Sequence, residues 1–155
     1  MAERTPGFVY VSYIAAAIDE VWTGLVDPDM TRLYWGHTNE SDWRVGSPWQ
    51  HVSSDGSSRV DIVGKVLEVE APRRLVISWA FPHDATDEAK VSTVTFELTP
   101  LGPDTKLKIA HSGLGLNSEM QGGVTDGWAA GVCNLKTLLE TGKTLSDDPW
   151  GSGAQ

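Results

Sequence analysis

Hydrophobic and polar positions follow two periods along this chain, and the change from one to the other divides it. Phe8-Val9-Tyr10-Val11-Ser12-Tyr13-Ile14 is rich in β-branched and aromatic residues and predicts a first strand. Ile18, Val21, Trp22 and Leu25 then recur at spacings of three and four, predicting a short helix over about 18–26. Asp27-Pro28-Asp29 breaks it, and Asp29 is placed to cap a second helical turn through Leu33. Strand patterns follow over 41–53, 58–70, 75–81, 91–98 and 105–111, separated by turn signals such as Ser54-Asp55-Gly56-Ser57 and by a polar loop over 82–88. From Glu119 to about Thr141 the apolar residues Val124, Trp128, Val132, Leu135 and Leu139 make one helical stripe, and Gly142 stops it.

Short turns between successive strands imply an antiparallel sheet. The last helix must bury its stripe against that sheet, so the expected fold class is α+β. Its parts are a first strand, two short helices, five further strands and a long C-terminal helix around which the sheet curves.

Length and charge narrow the function. A chain of 155 residues is the size of one domain, read here as 1–145 with a tail over 146–155. Acidic residues outnumber basic ones by 21 to 12, a net charge of −9, which opposes binding to nucleic acid or to an anionic membrane surface. The lone Cys133 excludes an internal disulfide and a multi-cysteine metal site. No signal peptide or membrane-spanning run is seen, so a cytoplasmic protein is expected.

The chemistry-bearing residues leave two readings open. Trp43, Trp49 and His51 share strand parity with Val45, Trp79 shares it with Ile77 and Phe81, and Trp128 lies on the helix stripe. Such rings either line an apolar pocket for a flat ligand or fill a core. His51 and His111 alternate inward, as hydrogen-bonded core groups do more often than catalysts. No His-x-x-x-His or Glu-x-x-His pattern supports a metal, and no Gly-x-Ser-x-Gly elbow supplies a nucleophile. Asp84, Asp87 and Glu88 read as a solvated loop beside His83. Gly113-Leu114-Gly115-Leu116-Asn117-Ser118 lacks both the third glycine and the context of a dinucleotide site. No catalytic residue, cofactor or metal is assigned. Gly123, Gly127 and Gly131 form a ridge beside the helix stripe, suited to close packing on the sheet, to a second subunit in a homodimer, or to ligand room.

Three stretches resemble a known family. Ala16-Ala17-Ile18-Asp19-Glu20-Val21-Trp22 resembles the opening of proteins related to the activator of Hsp90 ATPase. Val69-Glu70-Ala71-Pro72-Arg73-Arg74-Leu75-Val76-Ile77-Ser78-Trp79 is similar to their central Pro-Arg-Arg-Leu…Trp stretch, and Gly127-Trp128 with Leu135-Lys136 and Leu138-Leu139-Glu140 to their C-terminal helix. The resemblance covers roughly 8–141 and implies the helix-grip fold of the START-like superfamily, whose members include lipid carriers, plant hormone-binding proteins and polyketide cyclases.

That resemblance implies a cavity between sheet and last helix for a small apolar or aromatic molecule. Trp35, Trp49, His51, Trp79, Phe81, His111 and Trp128 would line it, with the histidines and Tyr13 supplying polar contacts. Two alternatives stand beside it. One is a chaperone-accessory module that contacts an Hsp90-type ATPase. The other is a cyclase- or hydrolase-type enzyme using His51 or His111 as acid or base.

Overall fold

Seven strands hydrogen-bond in the order β1-β7-β6-β5-β4-β3-β2, every neighbouring pair antiparallel. They are β1 (Phe8–Ile14), β2 (His37–Ser41), β3 (Pro48–Ser53), β4 (Val60–Glu70), β5 (Arg74–Trp79), β6 (Ser92–Leu101) and β7 (Asp104–Ser112). Between β1 and β2 lie α1 (Ile18–Val26) and α2 (Pro28–Trp35), and α3 (Ser118–Thr141) follows β7. The computed structural model describes residues 8–113 and 118–145, with backbone only for 118–123, 125 and 126. The tail over 146–155, Trp150 within it, and most of the Gly113–Ser118 stretch lie outside those described residues.

Alternation sets the inner face of the sheet. Trp49 and His51, Leu75, Ile77 and Trp79, Val94, Phe96 and Leu98, and Leu107, Ile109 and His111 are all buried on it. Register shifts at His51/Val52 and Val66/Glu68 bend β3 and β4, as β-bulges do, and help the sheet curve toward α3. Val124, Trp128, Val132 and Leu135 of α3 close the core from the other side, joined by Val21 and Leu25 of α1 and Tyr34 and Trp35 of α2.

Three expectations change. The stretch 41–53 is not one strand: β2 ends at Ser41 and β3 starts at Pro48. Trp43 takes a left-handed backbone, φ 55°, and Gly46 does too, φ 91°, so the chain reverses there and six strands follow α2. Trp43 therefore leaves the parity of Trp49, and its indole donates to the Val26 carbonyl at 2.9 Å. The cap of α2 is Asp27, whose carboxylate accepts from the Asp29 N–H at 2.8 Å, because Pro28 takes the first helical position. Asp84 is buried at the end of a 3-10 turn over Pro82–Asp84, 3.5 Å from His83 and 3.8 Å from Lys90, whereas Asp87 and Glu88 are exposed, as a solvated loop requires.

The Pro-Arg-Arg-Leu stretch turns β4 into β5. Arg74 reaches Glu68 on one side and Glu97 on the other, across β4, β5 and β6. The Arg73 carbonyl accepts the Leu98 N–H at 2.8 Å. In this chain the motif fastens three strands on the outer face. No helix among the described residues is long and apolar enough to cross a membrane.

Candidate functional site

Between the curved sheet and α3, four tryptophans and two histidines meet. Trp128 from α3 lies with its ring centre 5.2 Å from Trp35 of α2 and 5.2 Å from Trp79 of β5. Trp49 of β3 is 5.3 Å from Trp79, His51 is 4.8 Å edge-on to Trp35, and His111 is 5.5 Å edge-on to Trp79. These spacings and tilts are the ones aromatic quadrupoles favour. Phe96 of β6, buried in the core, adds an edge contact to Trp128 at 5.7 Å.

A directed hydrogen-bond chain runs through the cluster. The Trp128 indole is a donor only, and its Nε1 is 2.9 Å from His111 Nδ1, so Nδ1 accepts. The ring proton of the neutral imidazole then sits on Nε2, which donates to Ser92 Oγ at 2.7 Å. The Ser92 hydroxyl in turn donates to the Trp79 carbonyl at 3.0 Å. Burial lowers the His111 pKa to about 3, in keeping with a ring whose Nδ1 already faces a donor. Both nitrogens are thus occupied, and His111 orders the interior instead of standing ready as a base.

His51 belongs to a second polar group nearer the surface. Its Nδ1 donates to Asn39 Oδ1 at 2.6 Å, and its ring stacks on His37 with centres 3.9 Å apart. His37 faces two acceptors, the Trp35 carbonyl at 3.1 Å and Asp61 Oδ2 at 2.7 Å, and Arg59 binds the same carboxylate. Asp61 titrates low: its partial burial works against this, but the hydrogen bonds from Arg59 and His37 outweigh it. Burial first, and the His37 ring beside it second, push the His51 pKa well below its ordinary value. Sequence spacing gave no sign of Asn39, Asp61 or Ser92, because each is paired only through strand register.

The sequence-predicted set is mostly, not wholly, assembled. Trp35, Trp49, His51, Trp79, His111 and Trp128 come together. Tyr13 does not: Ser12 and Ile14 take the inward positions of β1, and Tyr13 is 57% exposed on the outer face. Phe81 lies half-buried just beyond β5 and stacks on His83. Trp22 packs at the margin of the core. Cys133 is exposed on α3, its sulfur 3.4 Å from the Tyr10 hydroxyl.

Beside the cluster, under α3, is a cavity of about 10 Å³ walled by Leu25, Tyr34, Trp35, Ile109, Trp128, Gly131, Val132 and Leu135, about the room of one water. Gly131 faces Trp35, where an added Cβ would touch the indole at 3.7 Å, so this part of the glycine ridge packs within the chain and not on a second subunit. Gly127 differs: among the described residues, a Cβ there would meet nothing within 4 Å. Among the described residues, no fully buried side-chain nitrogen or oxygen lacks a hydrogen-bond partner.

Solved structures share this architecture. CalU16 of Micromonospora echinospora matches with 25% identity and a TM-score of 0.67 over 88% of this chain and 82% of its own. Protein MLL2253 of Mesorhizobium loti matches with 27% identity and a TM-score of 0.69 over 86% and 97%. An HSP90 activator of Plasmodium falciparum shares the fold at 24% identity, with a TM-score of 0.66 over 88% and 97%. No curated protein matches the chain. The family model described as activator of Hsp90 ATPase homolog 1-like protein matches residues 15–140. With that match spanning the helices, the sheet from β2 to β7 and nearly all of α3, the chain belongs to the activator of Hsp90 ATPase homolog 1-like family.

Proposed function

We propose that this protein binds a small, flat, mainly apolar molecule between the curved sheet and α3. The observation that carries the reading is the meeting of four indoles beside a small cavity with apolar walls, two of them, Trp35 and Trp128, forming part of that wall. Aromatic faces of this kind hold flat ligands by contact area, and few polar groups are needed to orient them. The buried polar groups are already paired among themselves, which favours an apolar guest over an ionic one. Because the cavity holds only about one water, binding must move side chains. Intrinsic tryptophan fluorescence tests this with a panel of flat aromatic and fatty compounds. Saturable quenching in the native protein, lost in a Trp79→Ala variant that still folds by circular dichroism, is the expected result. No response to any compound would sink it.

A second reading, contact with an Hsp90-type chaperone, draws on the family and on an exposed apolar row. Val9, Val11 and Tyr13 stand on the outer face of edge strand β1, opposite Ala110, Lys108 and Lys106 of β7. Stoichiometric binding that alters the chaperone's ATP turnover, weakened by Val11→Asp, would favour this reading.

A further inference from the structure

We propose, resting on the ligand-binding reading above, that the molecule held beside α3 is a flat aromatic with a hydrogen-bond donor, a phenol or a ring N–H, whose donor replaces the Trp128 indole at His111 Nδ1. A cavity of about 10 Å³ cannot take a ring, so one of the surrounding side chains must leave its place.

The candidates differ in how firmly they are held. Trp49 is tethered to the Ser78 carbonyl and hemmed by Gly64, where even a Cβ would collide with its indole at 2.4 Å. Trp35 is edge-on to His51 and lies over Gly131. Trp128 is packed against Trp35, Trp79, Phe96 and His111, and beside it a Cβ on Gly127 would meet no described atom within 4 Å. Of the two indoles that wall the cavity, Trp128 is the one whose displacement an entering molecule can offset, because it vacates an acceptor, His111 Nδ1, that another donor can fill.

When it swings away, His111 Nδ1 is left as a buried acceptor without a donor. Moving the ring proton to Nδ1 would cost the Ser92 bond to the Trp79 carbonyl, because Ser92 would have to turn its hydroxyl to Nε2. An entering O–H or N–H restores the lost bond. An ether or hydrocarbon leaves Nδ1 unpaired, and a carboxylate sets an acceptor against an acceptor.

The native protein is titrated separately with naphthol, methoxynaphthalene and naphthoate, followed by the nitrogen-15 signals of the Trp128 indole and the His111 ring. Naphthol is expected to shift both signals and to bind about tenfold or more tightly than its methyl ether, the weight of one buried hydrogen bond. Naphthoate is expected to bind weakest. Equal affinity of naphthol and its ether would overturn the donor requirement while leaving an apolar binding site in place. Naphthol binding that leaves both signals unmoved would overturn the location. Binding by none of the three would overturn this inference, and silence across the wider fluorescence panel would remove the ligand-binding reading as well.

Discussion

The indole of Trp49 donates to the carbonyl of Ser78 at 2.8 Å, and it does so directly across Gly64 of β4. A Cβ at position 64 would lie 1.9 Å from that carbonyl oxygen and 2.4 Å from the indole nitrogen. Glycine is required here by close approach, not by backbone angle. Gly64→Ala must part the strands or expel the indole. Overpacking costs about 1–3 kcal/mol and a broken buried hydrogen bond about 1–3 more, so a loss of about 3 kcal/mol or more is expected by urea denaturation. Trp49→Phe, which keeps most of the ring and drops the donor, should lose about 1–3 kcal/mol. A cost below about 1 kcal/mol for Gly64→Ala would show that the bond carries little weight.

Gly64 also shows where sequence reading stops. The period of two placed Trp49, His51, Trp79 and His111 on one face, and the helical stripe placed Trp128 opposite them, because burial on one side enforces alternation. What joins these residues is not periodic. Ser92 meets His111, Asn39 meets His51, and Trp49 crosses Gly64 only once strand register is set. Tyr13 was misplaced because β1 is apolar on both faces, Phe8 and Tyr10 packing against the core while Val9 and Val11 face out, so hydrophobicity alone does not choose the inner face. The split at Trp43 was hidden for another reason. A non-glycine residue with positive φ leaves no mark in a composition rich in strand formers.

Stability should fall on acidification through the histidines. His111 titrates near 3 in the folded chain and about 6.5 when unfolded, and burial pushes His51 in the same direction. Between those values the unfolded chain binds more protons than the native one, so unfolding becomes easier as pH drops. The stabilisation is fully present above about pH 6.5 and is lost as pH falls toward the folded value. Each such histidine contributes a slope approaching about 1.4 kcal/mol per pH unit within that window. Urea midpoints at about pH 7, 6 and 5 read the slope, and His111→Gln should flatten it. An unchanged slope in a folded His111→Gln variant would remove His111 from this account.

Asn134 should matter more than a lone polar residue on a helix suggests. Its amide donates to the Tyr34 carbonyl at 2.7 Å and its oxygen accepts the Leu145 N–H at 2.6 Å, so one buried side chain ties the end of α2 and the strand of chain after α3 together. Asn134→Leu restores volume but leaves two backbone groups unpaired, at about 1–3 kcal/mol each where they stay buried. Amide exchange at Leu145 should accelerate as far as local opening allows. Retained protection there, with a stability loss under about 1 kcal/mol, would mean that water replaces Asn134 without penalty.

The glycines of α3 separate backbone demands from demands for space. Gly142 follows the helix with φ 81° and its N–H bonded to the Leu138 carbonyl, a left-handed stop that alanine adopts at a cost of about 1–2 kcal/mol. Gly127 lies inside the helix and imposes no such demand, so Gly127→Ala should stabilise by about 0.5–1 kcal/mol through helix propensity. A Cβ added there would meet no atom of the described residues within 4 Å, so packing against them does not explain the glycine. A displaced Trp128 or an entering ring would use that room, which has a consequence for binding. Gly127→Ala should weaken naphthol binding while raising the urea midpoint, whereas Gly142→Ala should lower the midpoint and leave affinity unchanged. A Gly127→Ala protein that is more stable and binds naphthol as well as the native chain would show that the space beside Trp128 has no part in recognition.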